Sequence, residues 1–315
     1  MTEPLVEVDQ LAKNFGPIQA VSNVTFTVGH GEILGLMGPN GAGKTTTIRM
    51  LTGFIAPSSG SARIRGHDIQ SEPTKAKRAI GYLPEGVPLY GDMSVENFLH
   101  FVASARAVPA RERRSRFEDT VSKTSLTRVL HRPIKTLSKG YKRRVGLAQA
   151  IIHDPPVLVL DEPTDGLDPN QKHDVRMLLE RMAHDKAIIM CTHLLEEVEA
   201  ICTRTVIIAR GRSIADATPE TLRRQSIFHN AVRLSVAKEN ADKLTEQLRA
   251  ISGVGGVDRI GETDRQTVLR IISANRKSIL APVRQAVQSS GAKVSEIMVE
   301  SGRLEDLFRQ LTLSV

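Results

Sequence analysis

The stretch that most constrains the fold of this chain is a glycine-rich loop between an apolar run and a helix-forming run. Its residues are Gly38, Pro39, Asn40, Gly41, Ala42, Gly43, Lys44, Thr45 and Thr46. The run at 32–37 is mostly apolar and typical of a buried strand, and 46–51 is typical of the first turns of a helix. This strand–loop–helix context predicts a phosphate-binding loop, with an ordinary glycine turn as the alternative.

Each part of this loop has a physical role in holding a triphosphate. Gly41 and Gly43 allow the backbone to curl, so that successive N–H groups point inward and bind an anion. The helix begins at the phosphate, so its unpaired N–H groups and positive dipole end add attraction. Lys44 is expected to reach the β- and γ-phosphates, and the Thr45 hydroxyl is expected to hold Mg²⁺.

A pair of carboxylates, Asp161 and Glu162, directly follows the aliphatic run 157–160. Carboxylates at this place are expected to project into a crevice at the carboxyl end of a strand. Asp161 suits Mg²⁺, directly or through water. Glu162 suits polarising a water molecule that attacks the γ-phosphate. Taken alone, the pair is equally compatible with a solvated turn or a helix cap.

The alternation of apolar and helix-forming runs predicts an α/β fold with a mostly parallel sheet. Residues 94–153 are largely helical in pattern and interrupt this alternation, which suggests an inserted helical subdomain. The sequence changes character near Gln225. Over 226–315 the order β-α-β-β-α-β predicts a small accessory α+β domain of the ferredoxin-like type. We therefore predict two domains, 1–225 and 226–315.

Composition limits the possible classes of protein. With 40% hydrophobic and 25% charged residues, the chain is expected to be globular. No apolar run approaches the roughly 18–20 residues of a membrane span, and the first residues show no signal-peptide pattern. Cys191 and Cys202 have no metal-binding spacing, so we expect them to be reduced and buried in a cytosolic protein.

The net charge of +8 raises the question of a nucleic-acid or membrane-surface partner. Its sharpest cluster consists of arginines 106, 111, 113, 114 and 116. Few aromatic residues interleave with it, so a stacking platform for single strands is missing. A solvated helix face is the favoured interpretation, with a lipid or nucleic-acid patch as the alternative.

Six segments, taken in order, resemble the motif series of the ATP-binding cassette (ABC) ATPases. They are 38–46, Leu83-Pro84-Glu85, Leu137-Ser138-Lys139-Gly140-Tyr141, 158–163, Gly166-Leu167-Asp168 and Thr192-His193. The resemblance covers roughly residues 5–215. It implies a P-loop ATPase core with an antiparallel β subdomain and an inserted helical subdomain.

The resemblance also implies roles that the residue types alone leave open. Ser138, Lys139 and Gly140 would bind the γ-phosphate of ATP held by the other subunit, at a helix N-terminus suited to anions. Asp168 would lie at the dimer interface, and His193 would approach the γ-phosphate and the attacking water. An aromatic at the position of Phe15 stacks on adenine in this family, with ordinary packing as the alternative.

Two departures from the family pattern stand out. In the usual signature Leu-Ser-Gly-Gly-Gln, Lys139 and Tyr141 replace a glycine and the glutamine, and Lys139 adds positive charge near the phosphate. Glu85 replaces a glutamine that touches Mg²⁺, a role that a carboxylate can also fill. Both departures, and the stretch 303–308, resemble ATP-binding subunits of bacterial type-2 exporters, including gliding-motility and multidrug types.

These resemblances imply an ATP-hydrolysing exporter subunit that uses ATP and Mg²⁺. One phosphate loop and one signature cannot complete a site, so two copies would form a head-to-tail dimer. A separately encoded transmembrane permease would bind beside Glu85, at the cytoplasmic face of the cell membrane. The apolar residues Leu89, Tyr90, Met93 and Phe98 would be either contacts with the permease or core residues.

Two other functions remain as alternatives. The first is a soluble ABC ATPase acting on ribosomes or nucleic acid. No second cassette and no long coiled-coil insertion appears in the sequence, so transport is favoured and no nucleic-acid partner is expected. The second concerns 226–315 alone, as a module for ligand sensing or dimerisation.

Overall fold

The computed structural model describes residues 3–313 and separates into two compact units between Ala217 and Thr218. From the sequence we expected this division later, between residues 225 and 226. The short helix Pro219–Arg224 therefore belongs to the second unit.

The first unit contains one large sheet and the helices that connect its strands, including those of the inserted segment. Strands β1–β10 are Val6–Phe15, Ile18–Val28, Ile33–Met37, Ser59–Ile64, His67–Asp68, Ile80–Leu83, Val157–Asp161, Ala187–Cys191, Arg204–Ala209 and Arg212–Ala217. Helices α1–α7 are Lys44–Leu51, Pro73–Arg78, Val95–Ala105, Ala110–Lys123, Lys139–Ile151, Pro169–Ala183 and Leu195–Ile201. Two 3₁₀ turns lie at Thr127–Val129 and Ile134–Thr136.

The sheet of the first unit has the strand order β5-β4-β1-β2-β10-β9-β3-β8-β7-β6. Strands β9, β3, β8, β7 and β6 run parallel. Every residue of β3, β7 and β8 is buried, as expected for strands covered on both faces. Strands β1, β2, β4 and β5 pair antiparallel. The predicted α/β core and its antiparallel subdomain are confirmed.

The sequence between residues 5 and 31 predicts short β-rich segments, and the antiparallel part differs from this expectation in detail. Strands β1 and β2 are long and form one hairpin, paired from Val6–Val28 to Phe15–Ile18. Register shifts after Val8 and Leu11 interrupt the pairing. Such bulges break the regular alternation of apolar and polar residues, which makes a continuous strand look fragmented in the sequence.

The inserted segment between β6 and β7 forms its own small core. Helices α3, α4 and α5 pack around buried residues such as Phe98, Leu99 and Val145. Helix α3 begins as predicted, with the Ser94 hydroxyl accepting a hydrogen bond from Asn97 N–H at 3.2 Å. The α4 arginines include Arg114, which forms an exposed ion pair with Glu118 at 2.9 Å.

The second unit has the topology predicted for the accessory domain. Its elements are α8 (Pro219–Arg224), β11 (His229–Ala237), α9 (Ala241–Arg249), β12 (Val254–Glu262), β13 (Gln266–Ser273), α10 (Leu280–Ser290), β14 (Val294–Ser301) and α11 (Leu304–Leu313), with a 3₁₀ turn at Lys238–Asn240. The sheet order is β12-β13-β11-β14, and all neighbours are antiparallel. This is the split βαβ arrangement.

Two boundaries in the second unit were predicted wrongly. The glycine-rich sequence 253–256 predicts a turn, but residues 254–256 belong to β12. The sequence predicts a helix over about 276–289, but α10 begins at Leu280. Arg276 has a positive φ of 59°, and the Asn275 side chain accepts a hydrogen bond from Lys277 N–H at 3.0 Å. This side-chain turn delays the helix.

Two expectations about the whole chain can be compared with the described residues. Cys191 and Cys202 are free thiols and both are buried, as predicted. Among the helices within 3–313, none has the length and apolar character needed to cross a bilayer.

Candidate functional site

The parallel strands bring the predicted phosphate loop, acidic pair and histidine to one edge of the sheet. The loop follows β3, Asp161 ends β7, and His193 comes just after β8. In the registers, Leu36 of β3 lies opposite Cys191 of β8, and Cys191 lies opposite Asp161. This edge is where ligands bind in α/β sheets.

The phosphate loop leaves the N-terminus of α1 free for an anion. Gly43 caps this helix with φ 105°, and within residues 3–313 no side chain accepts a capping hydrogen bond from its N-terminus. A Cβ atom at Gly43 would lie 2.7 Å from the Ala20 carbonyl oxygen, so only glycine fits. Helices α3 and α5, by contrast, are capped by serine hydroxyls. The first-turn N–H groups of α1 are therefore available to a phosphate.

Lys44 lies folded back across the same loop. Its ammonium donates hydrogen bonds to the carbonyl oxygens of Gly38 at 2.6 Å and Pro39 at 3.1 Å. Thr45 is half-buried in the first turn of α1. The other predicted loop residues fall into an exposed group, Pro39, Asn40 and Gly41, and a more buried group, Gly38, Ala42, Gly43 and Thr46.

Asp161 is a buried carboxyl group in a negative environment. Burial is the main reason why its pKa rises to about 6, and the charges of Glu85 and Glu162 raise it further. Arg143 and Lys44 act in the opposite direction. A buried carboxylate surrounded by further carboxylates is suited to a cation.

The donor set fits Mg²⁺ as a partner of a bound triphosphate. In the part of the chain that the structure describes, no three His, Cys, Asp or Glu side chains could hold a metal ion by themselves. Mg²⁺ commonly takes one or two protein oxygens and completes its octahedron with phosphates and waters. Asp161, Thr45 and Glu85 provide oxygen donors of that kind.

Glu162 and His193 form a hydrogen-bonded pair. Glu162 Oε1 lies 2.8 Å from His193 Nδ1, and it accepts the backbone N–H of His193 at 3.1 Å. The backbone of Glu162 has a positive φ of 50°, which is uncommon for a residue with a side chain. Its N–H donates to the Cys191 carbonyl at 2.9 Å, which holds this conformation. The pair is suited to orienting a water molecule.

The predicted signature residues form a second group around the N-termini of α5 and α6. Ser138 caps α5 and accepts from Tyr141 N–H at 3.3 Å, and Asp168 caps α6 and accepts from Gln171 N–H at 2.9 Å. At Gly140 an added Cβ would lie 2.5 Å from Gln171 Oε1, so the two helix starts pack closely. Within 3–313, no hydrogen bond or ion pair joins this group to the phosphate loop.

Lys139 is directed toward the loop before α6. Its ammonium lies 2.7 Å from a carboxylate oxygen of Asp165, and both side chains are exposed. This hydrogen bond is the main cause of the lowered pKa of Asp165. The positive charge predicted near the phosphate is therefore partly neutralised within the same chain.

Arg143 is a site residue that we did not single out from the sequence. Its buried guanidinium donates to five backbone carbonyls, those of Pro84, Glu85, Asp161, Glu162 and Pro163. It thereby connects α5 to the end of β7 and to the segment of Glu85. The available signal was a charged residue on a helix face where Gly140 and Leu147 are buried.

Phe15 lies at the end of β1 with 49% of its surface exposed. The Lys13 ammonium is 5.3 Å from the centre of its ring. A half-exposed ring is a poor core residue, so the packing alternative is disfavoured. Its role with adenine remains a prediction.

A groove of about 500 Å³ lies beside the segment of Glu85, lined by Phe54, Tyr82, Pro84, Pro88, Val102 and Arg106 among others. Phe54, which is 69% exposed, makes an edge contact with Tyr82 at 5.5 Å between ring centres. Of the apolar contacts proposed from the sequence, Tyr90 is exposed, but Phe98 is only 1% exposed and belongs to the helical core. Leu89 and Met93 pack against that core.

Comparison with known proteins adds an independent finding. A family model described as "ABC transporter" matches residues 21–165. The uncharacterized ABC transporter ATP-binding protein YdbJ of Bacillus subtilis is 38% identical over 221 residues, covering 69% of this chain and 70% of YdbJ. The Nod factor export ATP-binding protein I of Ralstonia nicotianae is 32% identical over 311 residues, covering 98% and 94%. A solved structure described as the ATP binding subunit of an ABC transporter has a TM-score of 0.66 and 32% identity, covering 70% and 92%.

Proposed function

This chain belongs to the ABC transporter family, as one of its ATP-binding and ATP-hydrolysing proteins, and from this premise we propose that it drives an exporter as a head-to-tail dimer. The Glu162–His193 pair, set at the same sheet edge as the phosphate loop, carries the proposal of hydrolysis. Export is supported by the full-length similarity to a protein named for Nod factor export.

Binding of ATP would begin at the phosphate loop. Lys44 would leave the carbonyls of Gly38 and Pro39 and bind the β- and γ-phosphates. The free N–H groups of α1 would hold the same phosphates, and Phe15 would stack on the adenine. Bound Mg²⁺, held by Thr45 and Asp161 with help from Glu85, would neutralise phosphate charge.

Hydrolysis would depend on Glu162 and His193. Glu162 would accept a hydrogen bond from the attacking water and orient it toward the γ-phosphorus, while His193 fixes the carboxylate and approaches the γ-phosphate. Phosphoryl transfer needs positioning and charge stabilisation rather than covalent catalysis. A pair of this kind is sufficient for that task.

The division of the predicted binding residues into two groups supports the proposed dimer. The phosphate loop lies after β3, whereas Ser138, Lys139, Gly140 and Asp168 surround a different pair of helix starts. In a two-fold, head-to-tail arrangement the second group of one copy would face the phosphates held by the other. Each copy would then complete its partner's site.

A separately encoded transmembrane permease is the proposed membrane partner. The groove with Phe54 and Tyr82 combines exposed aromatic surface with Arg106, a composition suited to a protein contact. Since this groove adjoins the segment of Glu85, occupation by the permease would be sensed at the nucleotide site. The chain would therefore lie at the cytoplasmic face of the cell membrane.

The experiment that tests this proposal measures oligomeric state and partner together. With ATP and Mg²⁺, the Glu162→Gln protein should become dimeric by light scattering. Ser138→Arg in that background should bind ATP but stay monomeric, because the bulky cation blocks the helix start. A monomer that persists at saturating ATP would contradict the dimer.

Identification of the binding partner distinguishes the exporter from the alternative, a soluble ATPase acting on ribosomes or nucleic acid. Affinity purification from membranes solubilised in detergent should recover a membrane protein, and this recovery should fall when Phe54 is replaced by Asp. Co-sedimentation with ribosomes or DNA instead would favour the alternative. A chain ending at Ala217 that still dimerises and supports transport would assign the second unit an accessory role.

A further inference from the structure

A fully buried carboxylate, Glu197, lies in α7, the helix that follows His193. One of its oxygens, Oε1, accepts a hydrogen bond from the hydroxyl of Thr164, which is itself buried. The other oxygen, Oε2, has no hydrogen-bond partner within 3–313. An acidic side chain in the core requires compensation, because the burial of an ionised carboxylate is costly.

Two cations on α6 provide that compensation. Arg176 lies 3.6 Å and Lys172 lies 3.9 Å from Glu197 Oε1, and both side chains are largely buried. These distances leave the pairs looser than direct charge-assisted hydrogen bonds, which are usually below about 3 Å. The carboxylate is thus held by the Thr164 hydroxyl and attracted toward α6 by the two cations.

The three segments that meet at Glu197 are those assigned to hydrolysis and to the dimer contact. Thr164 belongs to the loop directly after Glu162, and the Glu162 carbonyl accepts the N–H of Asp165 in that loop. Helix α7 continues from His193, and α6 is capped by Asp168. Glu197 therefore lies between α6 and the segments that carry Glu162 and His193.

We infer that Glu197 is a positioning residue that holds Glu162 and His193 in register and couples them to Asp168. This inference rests on the proposed function, since it needs Glu162 to orient the attacking water. Because its side chain is fully buried, Glu197 would act only through the residues packed against it. Its effect is to fix the loop after Glu162 against the helix after His193, so that the pair keeps its geometry when Asp168 meets a partner.

The test compares near-isosteric variants that remove either the charge of Glu197 or the hydroxyl of Thr164 with a serine variant that keeps the hydroxyl. Glu197→Gln should lower kcat roughly 10–100-fold, the cost of a small displacement of a reacting group. The Kd for ATP should stay unchanged, because the network does not reach the phosphate loop. Thr164→Val, which removes only the hydroxyl, should have the same effect, and Thr164→Ser should retain the wild-type kcat.

The neighbouring Glu196 gives a matched control. It lies 3.8 and 3.9 Å from the same Lys172 and Arg176, but its side chain is 70% exposed. Within residues 3–313 it forms no hydrogen bond or ion pair with Thr164. Glu196→Gln removes the same charge from the same helix. It should leave kcat unchanged, which separates positioning from a general loss of negative charge.

Each possible result of these measurements either supports the inference or overturns it. A normal kcat in both Glu197→Gln and Thr164→Val would overturn it. An equal loss in Thr164→Val and Thr164→Ser, or a fall in kcat together with ATP affinity and melting temperature, would reduce Glu197 to a core residue and also overturn it. Normal hydrolysis by Glu162→Gln would instead overturn the proposed function, and this result is read independently.

Discussion

The guanidinium of Arg143 lies 2.8 Å from the carbonyl oxygen of Glu85, and the same side chain donates to the carbonyl of Pro84 at 2.9 Å. Arg143 belongs to the helix that starts at the signature, whereas Glu85 follows β6. One buried side chain therefore joins the signature helix, the acidic end of β7 and the segment beside the proposed permease groove. Movement of any one of these would be opposed by the other two.

Replacing Arg143 with Met should destabilise the first unit. The substitution keeps much of the aliphatic volume but leaves the buried carbonyls without a donor, at about 1–3 kcal/mol for each one that water cannot reach. We expect a total loss of about 2–4 kcal/mol in urea unfolding. Lys142→Met, on the adjacent position of the same helix, should stay within about 0.5 kcal/mol. Equal stability of the two variants would contradict the role of Arg143.

Lys44→Ala should abolish tight nucleotide binding. The ammonium already lies inside the loop at Gly38 and Pro39, so it needs only to exchange carbonyl oxygens for phosphate oxygens. Loss of this charge should weaken ATP binding at least about 100-fold, equivalent to about 2.7 kcal/mol. Calorimetric titration measures it, with Arg49→Ala on the exposed side of α1 as the control. Undiminished affinity would count against the phosphate loop.

Glu162→Gln should separate hydrolysis from binding. The amide keeps the size of the side chain but cannot accept the water's hydrogen bond as a carboxylate does. We expect kcat to fall about 10²–10⁴-fold, the usual contribution of a general base, with ATP affinity preserved. Glu180→Gln, an exposed change on α6, provides the control in the same phosphate-release assay. Normal turnover in Glu162→Gln would refute its assignment.

Much of this site was predictable because each of its motifs is a short run of consecutive residues. The loop at 38–46, the acidic pair at the end of β7 and Ser138 at a helix start each combine a local sequence pattern with a local structure. Parallel pairing of the strands then brings distant motifs to one edge. The fold class followed from the same alternation of runs.

The residues that sequence reasoning missed act through tertiary contacts. Arg143 and Glu197 look like ordinary charged helix positions until the packing of α5, α6 and α7 shows their partners. Phe54 is an isolated aromatic in the sequence, yet the fold exposes it beside Tyr82. For Phe98 the sequence left a permease contact and a core position both open, and only packing shows that it is buried in the helical core.

The pKa of Asp161 predicts a pH dependence of stability for the nucleotide-free protein. Its pKa is about 6 in the folded chain and near 4 when unfolded, so the folded state binds this proton more tightly. The contribution of Asp161 to stability should therefore fall as pH rises from about 4 to 6 and stay low above that. Over this window the loss should be about 1–3 kcal/mol.

Asp161→Asn isolates this contribution. The neutral amide removes the cost of a buried charge, so the metal-free variant should melt at a higher temperature than wild type at pH 7, with a smaller difference at pH 5. The same change should raise the Mg²⁺ concentration needed for half-maximal ATP hydrolysis, measured by titrating the ion. If the variant melted at the wild-type temperature at pH 7, burial of the ionised Asp161 carboxylate would carry no cost in stability.

Removal of the ion pair between Lys139 and Asp165 should strengthen ATP-driven dimerisation. Both side chains are exposed, so the pair itself stabilises the fold by only about 0–1 kcal/mol. Asp165→Asn would free the Lys139 ammonium for the γ-phosphate of the partner subunit's ATP. In the Glu162→Gln background, ATP-driven dimerisation should then become several-fold tighter at low salt, and screening should remove the gain at high salt.

The double change Lys139→Gln with Asp165→Asn is the control, because without the ammonium there is nothing to release. If the single variant dimerises no better than the double variant in sedimentation measurements, Lys139 acts only within its own chain.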